Sequence, residues 1–111
     1  MSSSLTTVKQ TIPLTADGLA QKYVGTSATT ITKARIMNVF GQATAADAEI
    51  KIYDEADSSK TASKLVFHGK FGTAANHVHS FDIAGQGIKC DAGMYVDLTN
   101  CDFCTIIGAF T

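Results

Sequence analysis

The run Ala48-Glu49-Ile50-Lys51-Ile52-Tyr53 alternates apolar and polar side chains residue by residue. Successive side chains of a strand point to opposite faces, so Ala48, Ile50 and Ile52 share one face while Glu49, Lys51 and Tyr53 share the other. The run is therefore a half-buried strand. Residues 64–71 repeat the pattern, with Leu65, Phe67 and Phe71 expected inward and Lys64, His68 and Lys70 outward. Residues 94–99 do so again, with Met94, Val96 and Leu98 opposite Tyr95, Asp97 and Thr99.

Outward from these three strands the pattern weakens. Residues 30–40 are rich in β-formers but carry charged and apolar residues on both faces, as expected of a strand covered partly on each side or interrupted by a bulge. Residues 105–110 form a continuous apolar run, long enough for a buried strand that lies centrally in a sheet. Further strands are expected at 5–12, 77–83 and 88–90, giving about eight short strands in all. Asp91-Ala92-Gly93 and Asn100-Cys101-Asp102 read as tight turns, so the C-terminal third reads as an antiparallel meander. The Ala-rich stretch 41–47 has no apolar stripe and reads as a loop.

The expected fold is thus an all-β antiparallel sandwich, jelly-roll-like, forming a single domain over residues 1–111. Its expected core includes Ile50, Ile52, Leu65, Phe67, Met94, Val96, Leu98 and Ile107. The polar segment 54–63 is expected to be a solvated loop, and it and the stretch 16–29, within a candidate N-terminal contact arm of residues 1–29, are the expected contact segments.

Composition narrows the function. With 111 residues, 45% hydrophobic and 17% charged, the chain suits one ordered domain. Nine Lys and Arg are interspersed with ten Asp and Glu, so no basic stripe offers a nucleic-acid surface. No apolar run reaches the roughly 18 residues of a membrane span, and Met1-Ser2-Ser3-Ser4 has neither the basic region nor the apolar core of an export signal. Synthesis and assembly in the cytoplasm are expected. Three cysteines without an export signal argue against a disulfide framework, leaving Cys90, Cys101 and Cys104 as free thiols or candidate interchain thiols.

No catalytic or cofactor-binding residue is assigned. His77-Val78-His79 directs two imidazoles to one strand face, as a cupin-like metal site requires, yet Ser80, Phe81 and Asp82 follow and no later His exists. Cys101-Asp102-Phe103-Cys104 has CxxC spacing but no second ligand pair and no helix N-terminus for redox chemistry. Neither pair is expected to hold a metal. Gly85-Gln86-Gly87 lacks the following helix of a phosphate cradle and reads as a turn. Tyr23, Tyr53 and Tyr95 are expected at sheet edges or subunit contacts.

Residues 48–54, the stretch Gly87-Ile88-Lys89-Cys90-Asp91-Ala92-Gly93-Met94-Tyr95-Val96-Asp97-Leu98 and the close Thr105-Ile106-Ile107-Gly108 resemble a pattern of small tailed-bacteriophage virion proteins. In that pattern a strand ending Ile-Tyr-Asp precedes a loop, and a Gly-Ile turn leads into Gly-x-Tyr-Val and a last apolar strand. The resemblance implies a non-enzymatic capsid decoration, or cement, protein of the virion. It further implies a homo-oligomer, a trimer by analogy with threefold capsid positions, whose partner is the major capsid protein or another virion protein. A tail, neck or adsorption module of lectin-like type is the alternative, disfavoured by the absence of Trp, the usual sugar-stacking platform. A cupin-like metal enzyme is the least favoured.

Overall fold

The alternating and continuous apolar runs fold into eleven strands within residues 9–73 and 76–111, the part of the chain described by the computed structural model. They are β1 (Lys9–Gln10), β2 (Gly18–Leu19), β3 (Gln21–Val24), β4 (Ser27–Thr30), β5 (Ala34–Ala43) and β6 (Glu49–Tyr53). β7 (Leu65–Lys70), β8 (Val78–Asp82), β9 (Ile88–Cys90), β10 (Tyr95–Thr99) and β11 (Cys101–Phe110) follow. One sheet has the order β1-β11-β5-β8, with β9 also paired to β5; the other has the order β2-β10-β6-β7. Among the described residues β3 and β4 pair only with each other, and every strand pairing is antiparallel.

The protein is therefore an all-β, sandwich-like fold. Its core is built from Ile36 and Val39 of β5, Cys104 and Ile106 of β11, Ile50 and Ile52 of β6, Val96 of β10, and Met94, all with no exposed surface. Burying each large aliphatic side chain among these contributes about 1.5–3 kcal/mol relative to leaving it in water. β11 lies between β1 and β5, so the last apolar run is central as its composition implies.

Four expectations are corrected by the pairing. Ile107 is not a core residue: on β11 it is Cys104, Ile106, Gly108 and Phe110 that are buried inward, while Ile107 shares the outer face with Thr105. A continuous apolar run carries no alternation from which that parity could be read. Leu65 is likewise outside the core, at 37% exposure. Ile52 pairs with Phe67 but Tyr53 with Leu65, so a bulge at Val66 shifts the alternation, and Val66 packs against the core instead.

Tyr53 and Tyr95 are not at edges. They face each other across β6 and β10, two inner strands, at 7% and 8% exposure; only Tyr23 is open to solvent. Nor is the C-terminal third a meander. β8, β9 and β11 all pair with β5, whereas β10 belongs to the other sheet. Asn100, at φ 53°, makes the corner between the sheets; Asn tolerates this left-handed conformation better than most residues. Its carbonyl accepts from the Thr44 N–H at 2.7 Å and its side-chain amide donates to Ala46 O at 3.2 Å.

The mixed pattern at 30–40 also has its cause in the register. Asn38 pairs with Ile107 and Ile36 with Gly108, so Met37 is the extra residue of a bulge that lets both Ile36 and Val39 face inward. Of the strand expected at 5–12, residues 5–8 lie outside the described residues; β1 is the part within them.

Candidate contact surface

The groups with intrinsic reactivity come first, because their surroundings decide whether they act chemically. All three cysteines are free thiols. Cys90 and Cys104 have 1% and 0% of their surface exposed, and burial pushes both thiols up to about 12, leaving essentially no thiolate at neutral pH. They are sealed from a partner chain by the core around them. Cys101 is half-buried and its thiol is also pushed up by burial. Phe103 pairs with Gln42 while Cys101 pairs with Ala43, so Asp102 is bulged. That bulge lets Cys101, like Cys104, turn toward the second sheet, where its Sγ donates to Glu49 O at 3.5 Å.

His77 and His79 lie on the exposed flank of β8 with ring centroids 5.6 Å apart. The His79 ring packs edge-on against Phe81 at 4.5 Å and Phe71 at 6.0 Å. Among the described residues no group of three or more His, Cys, Asp and Glu is arranged to hold a metal. His68 is bonded to Glu49 on the outer face of the second sheet, and that hydrogen bond is the main cause holding the Glu49 carboxyl below its usual value. Gly85 and Gly87, at φ 71° and 83°, carry the turn between β8 and β9.

The two polar segments singled out by composition come together in space. Residues 16–29 contain β2, β3 and all of β4 but Thr30; the β3–β4 hairpin turns at Gly25-Thr26, with Gly25 at φ 64°. Every residue from Tyr23 to Thr30 is exposed. Tyr23 is 64% and Val24 56% exposed; being adjacent on a strand, they present a large ring and a branched apolar side chain on opposite faces. The base of the hairpin is fixed by Ala20 and Ile31, both fully buried, with Ala20 N–H donating to Met94 O at 2.8 Å and Ile31 N–H to Ala20 O at 3.1 Å.

The 54–63 loop is anchored beside it. Asp54 Oδ1 accepts from the Asp91 and Ala92 N–H groups at 2.9 and 2.8 Å, and Glu55 Oε1 accepts from the Thr61 N–H at 2.9 Å. Lys60 Nζ stands 3.6 Å from Asp97 Oδ1 on β10 and 3.5 Å from Asp17 Oδ2, just before β2. Asp97, then Asp17, raise the Lys60 ammonium above its usual value. Asp17 also accepts from the Leu98 N–H at 2.8 Å through Oδ1, so one carboxylate links the approach to the hairpin, the loop and the second sheet. The result is a fixed surface with an exposed apolar tip. Within the described part of the candidate arm, residues 9–29, β1 is paired to β11, Thr11 is 1% exposed, and Leu14 bridges Cys104; of these residues the hairpin is the part freely presented.

Sequence reading located both segments by polarity but missed the hairpin within the first. Its signal was there, a glycine between two β-capable stretches, Gln21–Val24 and Ser27–Thr30. The Lys60–Asp17 contact joins residues distant in sequence and had no local signal. No protein-family model, curated protein or solved structure matches the chain.

Proposed function

We propose that the protein is a non-enzymatic structural component of a tailed-phage particle, a capsid decoration protein that stabilises the particle through surface contacts. The observation that carries this reading is the β3–β4 hairpin, which displays Tyr23 and Val24 at 64% and 56% exposure on a rigid, anchored base. A tyrosine ring, apolar in its body and polar at its hydroxyl, is among the side chains enriched at the energetic centre of protein interfaces. The class of partner comes from the resemblance of residues 48–54 and 87–98 to small virion proteins. The cysteine environments fit a structural role, because thiols held near 12 are poor nucleophiles.

The test is co-sedimentation with phage particles lacking the protein. Tyr23→Ser combined with Val24→Ser is expected to weaken binding by tenfold or more, since losing an interface anchor costs roughly 1–2 kcal/mol or above. The variant should keep the wild-type dichroism spectrum, both side chains being outside the core. Binding unchanged by this pair of substitutions would reject the hairpin as the contact.

A further inference from the structure

Among the described residues the first sheet ends at β8, whose five residues pair with β5 on one side and with no strand on the other. The hydrogen bonds from Ala43 N–H to His77 O at 2.8 Å and from Ile83 N–H to Met37 O at 3.0 Å set the phase of that pairing. In an antiparallel ladder alternate residues bond to opposite neighbours, so His77, His79, Phe81 and Ile83 are directed at β5. The N–H and C=O groups of Val78, Ser80 and Asp82 are directed away from it.

Natural sheets protect such an edge with lysine, proline, a bulge or extreme shortness. Among the described edge strands of the two main sheets, β1 and β2 have two residues each, β9 has three with Lys89 among them, and β7 carries the Val66 bulge with Lys70 at its end. β8 has none of these devices: no proline, no lysine and an unbroken register with β5. Its one charge, Asp82, is engaged by the Asn38 side-chain amide, which also donates to Ser80 Oγ at 2.8 Å. Val78 is 57% exposed. By register it lies in one row with Gln42 and Phe103, on the outer face where Phe40 and Phe103 meet at 6.0 Å, so apolar surface runs out to this edge.

We propose that β8 pairs antiparallel with β8 of a second copy of this chain, about a twofold axis at Ser80, joining the two first sheets into one continuous sheet. The free groups select that register, because Ser80 then faces Ser80 of the second copy and Val78 faces its Asp82, with both bonds of each pair closed. On the inner face His79 meets Phe81 of the second copy, extending across the seam the His79–Phe81 contact already present within each chain. Sliding the strands so that His79 opposes His79 would set two imidazoles face to face, which repel when protonated. A strand edge that pairs antiparallel with itself closes with two copies, so the assembly is twofold in place of the threefold one implied by the resemblance. The pairing does not rest on the virion reading, and its test in solution uses no particle.

The experiment is sedimentation velocity at micromolar concentrations, with hydrogen exchange of the wild-type protein. Wild type is expected at twice the 11.7 kDa chain mass, with Val78, Ser80 and Asp82 amides protected in a concentration-dependent way. Ser80→Pro removes an N–H that β5 does not use and should give the monomer with the strand spectrum retained. Val78→Asp, placing a carboxylate opposite Asp82 of the second copy, should also give the monomer. Wild type at 11.7 kDa throughout, an assembly of three, or a dimer with fast exchange at Val78, Ser80 and Asp82 would overturn the proposal.

Discussion

Ile106 and Ile107 are adjacent and chemically identical, yet only the first is fully buried. Ile106→Ala is expected to lower the unfolding free energy by roughly 2–5 kcal/mol, through lost transfer energy and the cavity left behind. Ile107→Ala, on the half-covered outer face, should cost about 1 kcal/mol. Urea denaturation of the two variants measures the difference, and equal losses would contradict the assigned parity of β11. At this scale the sequence was legible where charge alternated with apolar residues, as at Ile50, Lys51 and Ile52. It was illegible where every neighbour was apolar, and misleading at Leu65, where the Val66 bulge changes the phase. A bulge is fixed by the partner strand, so one strand read alone does not reveal it.

Strands with one wet face were recognisable as elements; their partners were not. β6 and β10 were both read from alternation, and their direct pairing, Ile52 with Val96 and Lys51 with Asp97, follows from contacts far apart in sequence. The corner at Asn100 has the composition of a hairpin turn, and only the assignment of β10 and β11 to different sheets distinguishes the two. The contact surface was half legible for the same reason. Polarity marked 54–63 as a loop, but the attachment of Lys60 to Asp97 and Asp17 makes it part of the body. Lys60→Met is therefore expected to speed proteolytic nicking within 55–61 several-fold while leaving the urea midpoint near wild type, because exposed ion pairs add little to global stability. Limited proteolysis checks this, and an unchanged nicking rate would mean that the loop is held by its other bonds alone.

For the whole molecule, the two ends of the described chain meet: Lys9 pairs with Gly108, and Thr11 exchanges hydrogen bonds with Ile106 at 2.9 Å in both directions. Removing the chain up to Ile12 would therefore damage the fold as well as any contact made by the arm, and the hairpin substitutions separate the two effects. What the described part of the molecule offers to a partner is a two-sheet core, a hairpin with exposed Tyr23 and Val24 at its tip, and the free edge of β8. Sequence composition led to the first of these, and only the assembled sheets disclose the edge. The proposed role for this surface is a contact within a virion. Quantitative mass spectrometry of tailed-phage particles purified from cells that express the chain tests it most directly. The chain is expected in those particles at a fixed ratio to the major capsid protein. Particles devoid of the chain while it accumulates free in the same cells would contradict it.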